Sequence, residues 1–136
     1  MKKIFTNPPE LPSWPDFFSN IVTVNGNGIE TIYISGQIGL DADKNLVGSG
    51  NFSDQTAQAF KNLAIALESV GAKPADIVKI TIFVVNYHPD NLEIIGEAIS
   101  QYFPEEKPAC CVVGVESLAL EFLLIEVEGI AVKGIN

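Results

Sequence analysis

The 136-residue chain contains no arginine. Its eight basic residues are lysines, scattered as Lys2, Lys3, Lys44, Lys61, Lys73, Lys79, Lys107 and Lys133, with no run beyond Lys2-Lys3. Set against 17 acidic residues they leave a net charge of −9, which repels a phosphate backbone, so nucleic acid is not expected as a partner. There is one histidine, His88, and the two cysteines, Cys110 and Cys111, are adjacent. This leaves no ligand spacing for a metal and no legible Cys-His-Asn arrangement. Adjacent cysteines rarely bridge, because the disulfide strains across one peptide bond. A disulfide framework is therefore excluded, and a reducing, cytoplasmic setting is expected. No apolar stretch is long enough to span a bilayer, and no apolar segment separates Lys2-Lys3 from Asn7-Pro8-Pro9, so neither a membrane span nor a secretory signal is expected. The glycines of Asn25-Gly26-Asn27-Gly28 and Gly48-Ser49-Gly50 read as turns rather than phosphate loops; no cofactor is expected.

What the chain does have is apolar bulk. Hydrophobic residues make up 47% of it, and the mean hydropathy is +0.26. That is rich for one small domain covering residues 1–136, and it predicts apolar surface covered by another subunit. Residues 1–18 carry Pro8, Pro9, Pro12 and Pro15 and read as an extended arm, not a helix or central strand. Trp14, Phe17 and Phe18 on that arm need something to dock on. Ile21–Val24 and Thr31–Ser35 flank Asn-Gly pairs and predict a hairpin. Gly36, Gly39, Gly48 and Gly50 punctuate the loop expected next. Ser53 is the expected N-cap of a first helix, whose stripe is Phe52, Phe60, Leu63, Ala64, Leu67 and Val70, with Gly71 ending it.

Ile77–Val85 is nearly continuous and β-branched, with Ile80, Ile82 and Val84 facing one way and Lys79, Thr81 and Phe83 the other. Pro89 is expected at the first position of a second helix that carries Leu92, Ile95, Ala98, Ile99, Tyr102 and Phe103 and stops at Pro104. Strands at Cys111–Val115 and Leu123–Val132 follow. The order legible from pattern is β-β-α-β-α-β-β, an α+β fold with a mixed sheet and both helices on one face.

Glu126 and Glu128, at i and i+2 in the last strand, share a face with Leu124 and Ile130. A carboxylate among apolar neighbours has a raised pKa and can move protons near neutral pH; a solvated or lysine-paired face is the plainer alternative. Cys110-Cys111 is a nucleophile only if a base or positive charge sits nearby, and a small buried hydrophobe otherwise. His88, before Pro89, reads as a loop residue.

Several blocks, taken together, resemble the reactive-intermediate deaminase (RidA/YjgF-type) family. These are Ile34-Ser35-Gly36-Gln37-Ile38, then Gln55, Asn62-Leu63 and Val70-Gly71-Ala72, then Asp76–Val84. Tyr102-Phe103, Pro108-Ala109, Val113-Gly114-Val115 and Glu126–Val132 continue the match, which covers roughly Ile21 to Lys133 in order. The resemblance implies a chorismate-mutase-like mixed six-stranded sheet with two helices on one face, and a homotrimer whose sheets form a central barrel. It also implies three inter-subunit clefts that take a small molecule. In deaminating members an arginine after Pro-Ala grips the substrate carboxylate, and a glutamate of the closing strand positions water.

Carried over, the glutamate is Glu126, and Ser35 and Gly36 are present; the arginine position is Cys110. The usual asparagine of the second helix aligns with Gly96, and the tyrosine of the arm with Phe17 or Phe18. Losing a desolvated carboxylate clamp costs on the order of 3–5 kcal/mol of binding, which argues against efficient 2-imino acid deamination. Three readings stand: hydrolysis of a small imine or enamine through Glu126, a non-catalytic sensor or scaffold using the same clefts, and, last, an older family label, ribonuclease or translation inhibitor.

Overall fold

A computed structural model of the chain describes residues 1–135. Six strands and two helices follow one another as β1 (Lys2–Thr6), β2 (Ile21–Gly26), β3 (Ile29–Ile38), α1 (Phe52–Ser69), β4 (Ile77–Val85), α2 (Asn91–Tyr102), β5 (Ala109–Val115) and β6 (Ile125–Gly134). The sheet runs β1-β2-β3-β6-β4-β5. Only β4 and β5 are parallel, joined by a crossover through α2; the other neighbours are antiparallel. The fold is the expected mixed six-stranded sheet. Its sixth strand, which pattern alone did not reveal, comes from the arm: Lys2–Thr6 pairs along β2 as an edge strand ahead of the prolines.

The turn between β2 and β3 holds Asn27 at φ 53° and Gly28 at φ 77°. Two successive left-handed residues match the twist of a tight hairpin, and asparagine and glycine tolerate them best. The face of α1 that meets the sheet is Ala59, Phe60, Leu63, Ala66 and Leu67, all buried at helical spacing. Its N-cap is Asn51 rather than Ser53. The extended Asn51 accepts the Asp54 N–H through Oδ1 at 2.8 Å, which leaves Ser53 inside the first turn. The helix ends as expected at Gly71, φ 71°, with its N–H bonded to Glu68 and that of Ala72 to Leu67. α2 begins two residues beyond Pro89. A turn in which Asn91 bonds back to His88 through both its N–H and its Oδ1 delays the helix start.

Ile80, Ile82 and Val84 of β4 and Ile125, Val127 and Ala131 of β6 are buried under the helices, as the alternation predicted. The rings of Phe60 and Tyr102 meet at 5.6 Å between centroids and join α1 to α2. No helix covers the other face of the sheet. The register lines up Val22, Tyr33, Ile130 and Lys79 as one row across it, and Ile38, Glu126, Phe83 and Val113 as another. Tyr33 and Val113 are exposed there. β5 has both faces open and carries no fully buried residue. Among the described residues, no helix is long and apolar enough to cross a membrane.

Candidate functional site

Strand pairing is irregular at one place beside β6. Ile34 pairs with Gly129 and Gln37 with Val127, so three steps along β3 match two along β6. The surplus residue lies at Ser35-Gly36, a β-bulge inside the segment that sequence pattern treated as the start of a loop. Ser35 N–H bonds to the Asn20 carbonyl at 2.9 Å, and its hydroxyl donates to the Ser19 carbonyl at 2.6 Å. Asn20 in turn donates Nδ2 to the Pro12 carbonyl and takes its own N–H to Asn7 Oδ1. The bulge thereby pins the arm across the end of the sheet.

Under that arm lies a cavity of about 460 Å³. Pro12, Trp14, Phe17 and Phe18 come from the arm, Asn20 from just before β2, Gly36, Gln37 and Ile38 from β3, Ala119, Leu120 and Leu123 from the loop before β6, and Glu126 from β6 itself. The lining is apolar except for the amides and one carboxylate. Among the described residues lining the cavity, Glu126 is the only ionisable one. Its side chain packs against Gly36: a Cβ placed there would overlap Oε1, Cδ and Cγ of Glu126. No residue but glycine leaves the carboxylate in this position. Burial, and next the charge of Glu128, push the Glu126 carboxyl above the ordinary glutamate range.

Aromatic side chains form the outer wall. Trp14 and Phe18 stack at 6.1 Å between centroids, and Lys44 Nζ stands 4.8 Å from the centre of the Trp14 ring. Phe17 is 83% exposed at the mouth. The inner wall is held from behind by two polar residues of α1. Gln55 donates Nε2 to the Gly50 and Phe122 carbonyls at 2.9 Å each, and its Oε1 accepts the Leu124 N–H at 2.8 Å. Asn62 donates Nδ2 to the carbonyls of Ile38 and Leu40. Both are fully buried.

Of the residues singled out from sequence, Glu126, Gly36, Phe17 and Phe18 come together in this cavity. Ser35 is next to it, with its hydroxyl spent on Ser19. Cys110 and Gly96 lie outside it on the same chain. Cys110 pairs with Ile80 on the outermost strand, on the helix side of the sheet, whereas Glu126 pairs with Phe83 on the open side two strands away. Both cysteines are free and exposed. Burial and the neighbouring Cys111 raise the Cys110 pKa, and Lys79 opposes them only in part, so the thiol is not primed as a nucleophile. Gly96 sits on the exposed side of α2, where an added Cβ would meet nothing. Among the described residues no group of acidic, histidine or cysteine side chains could hold a metal ion.

Sequence reasoning did not place Trp14, Ile38, Leu120 or Leu123 in the site, nor Gln55 and Asn62 behind it. The signal for the last two was present: an amide on the buried stripe of an amphipathic helix needs partners, and these had to be backbone groups of packed loops. The loop holding Leu120 and Leu123 has no periodicity to read.

The sequence profile of the endoribonuclease L-PSP family matches residues 17–133. A RutC family protein from Aquifex aeolicus is 36% identical over 135 residues, 98% of this chain and 100% of that protein. A 2-iminobutanoate/2-iminopropanoate deaminase from Dermatophagoides farinae is 35% identical over 102 residues, 75% of this chain and 77% of that one. The crystal structure of YyfA, a Rid family protein from Yersinia pestis, superposes with a TM-score of 0.82 at 31% identity, covering 98% of this chain and all of the other. The match takes in both halves of the cavity wall, from Phe17 through Gly36 to Glu126, and places this chain in the endoribonuclease L-PSP, or RidA/YjgF-type, family.

Proposed function

We propose that the protein hydrolyses a small imine or enamine in the Glu126 cavity and is not tuned to 2-imino acids. The observation that carries this reading is the placement of one carboxylate, its pKa raised, as the sole ionisable lining of an apolar cavity. Relatives named as 2-imino acid deaminases support the reaction class. In the proposed step the Glu126 carboxylate takes a proton from water as its oxygen adds to the imine carbon. The same proton then passes to nitrogen, giving the carbinolamine; the carboxylate next takes the hydroxyl proton and hands it to the leaving nitrogen as the C–N bond breaks, so that a carbonyl compound and an amine leave with both water protons on the amine. The phenyl and indole groups of the arm keep bulk water off the intermediate.

The missing arginine separates this chain from a 2-imino acid enzyme. Cys110 occupies the position that the family uses to grip a carboxylate, and the chain has no other arginine to take its place. The open apolar face of the sheet and the unburied β5 support a homotrimer in which sheets pack around an axis and clefts form between subunits. In such an assembly Cys110 and Gly96 would meet the cavity only from a neighbouring copy.

The decisive experiment is an ammonia-release assay on two imines generated in situ, one with a carboxylate and one without. Turnover of the imine without a carboxylate, with kcat in Glu126→Gln falling by a factor of about 10²–10⁴, is expected. Cys110→Arg is expected to gain activity on the 2-imino acid. Rapid 2-imino acid hydrolysis by the unaltered protein would overturn the assignment. A second reading, a sensor that binds without turnover, is favoured by the same replacement of a substrate clamp by Cys110. It predicts ligand-induced stabilisation with no product.

A further inference from the structure

The residues of one chain that line the cavity carry one charge, and it is negative; Lys44, over the Trp14 ring, is not among them. Glu126 is the only ionisable lining residue among those described, and the walls around it are the rings of Trp14, Phe17 and Phe18 with Ile38 and Leu123. A ligand carboxylate entering here would meet a like charge at short range with no guanidinium to offset it, because the chain has none to offer from any copy. A cation meets the opposite situation: a carboxylate packed beside Gly36, and aromatic faces that attract positive charge. Trp14 has Lys44 Nζ over its ring, the kind of contact that an incoming cation would make with the other rings of this wall. The volume, about 460 Å³, suits a ligand the size of a substituted aromatic ring or a branched aliphatic chain.

We infer that the ligand of this cavity is an apolar organic cation, an ammonium or iminium on an aromatic or branched alkyl body, without a carboxylate. The nitrogen pairs with Glu126 and the body packs on the arm. This inference deepens the hydrolase reading by naming the charge state of the substrate, an iminium whose carbon is already activated towards water. It rests on that reading only for turnover; binding stands by itself.

The test uses the full chain and three probes of one shape: benzylammonium, benzyl alcohol and benzoate. Trp14 is the only tryptophan, so its fluorescence reports occupancy of the cavity directly, with calorimetry alongside. Benzylammonium is expected to bind at least ten-fold more tightly than either of the others. Glu126→Gln is expected to abolish that preference while benzyl alcohol binding is kept, which also shows that the variant is folded. Glu128→Gln, removing a nearby exposed charge, is expected to retain it. Benzoate binding as tightly as benzylammonium would overturn the inference, as would a neighbouring copy's lysine reaching the cavity and producing that result. A preference that survives Glu126→Gln, or that Glu128→Gln removes equally, would also overturn it by assigning the effect to the general −9 field. Hydrolysis of an N-benzylidene alkylamine, followed through benzaldehyde, is measured on the same preparations. Selective ammonium binding without turnover removes the hydrolase and keeps the ligand class. Turnover with equal benzoate binding does the reverse.

Discussion

A carboxylate that is half-buried against a glycine is held at an energetic cost, and that cost depends on pH. Burial first, and the Glu128 charge second, raise the Glu126 pKa above its value in the unfolded chain. Between the ordinary glutamate value, about 4.3, and the higher folded value, the folded protein binds the proton more tightly than the unfolded chain. Stability therefore falls as pH rises through that window and stays lower above it. Glu126→Gln removes the effect. The variant is expected to be more stable than the unaltered protein at pH 7 and to lose that advantage below about pH 4, where both states are protonated. Thermal unfolding at matched concentrations from pH 4 to pH 8 checks this; an advantage that does not change with pH would assign it to packing instead. Glu126 was legible from sequence because strand alternation put a carboxylate among apolar neighbours. The contact beside it was not, because Gly36 reaches it only through a one-residue bulge in β3, 90 positions away in sequence.

Secondary-structure elements were readable wherever periodicity was sustained. β4 runs from Ile77 to Val85 as its β-branched pattern indicates, and α1 ends at Gly71 because only a left-handed residue closes its last turn there. The helix starts were less legible. Asn51 and Ser53 are both good caps, and the choice between them depends on which backbone is extended, a property of the preceding loop. The elements also show how the cavity keeps its shape. Gln55, on α1, binds three backbone groups from two loops, so the helix acts as the back plate of the site. Gln55→Ala leaves those groups without partners in a dry interior and is expected to cost about 2–4 kcal/mol in urea unfolding. It should also weaken probe binding in the cavity, since Phe122 and Leu124, which flank Leu123, lose their anchor. A loss below about 1 kcal/mol would mean that water takes over the amide's bonds.

At the scale of the molecule, the composition predicts an assembly: 47% hydrophobic residues are rich for a lone two-layer fold of this size. The structure locates the excess on the sheet face that no helix covers, along the row of Val22, Tyr33 and Ile130. Sedimentation is expected to give three times the chain mass. Tyr33→Lys, placing a charge in that row, is expected to shift the protein towards monomers and lower its thermal midpoint. A monomer in the unaltered protein at micromolar concentration would remove the trimer and leave the cavity open on one side.

The strand order has a different consequence, for how the protein is made. β3 and β4 never touch; β6 lies between them and pairs with both. It is the last of the six strands to leave the ribosome. Before β6 is made, nothing joins β1 to β3 with β4 and β5 into one sheet, and the edges of β3 and β4 that pair with β6 have no partner. Long-range pairing of this kind is slow and exposed to misassembly. Completion of the sheet therefore waits for one central strand, the one that carries Glu126, so that the acidic group is placed only when the sheet closes.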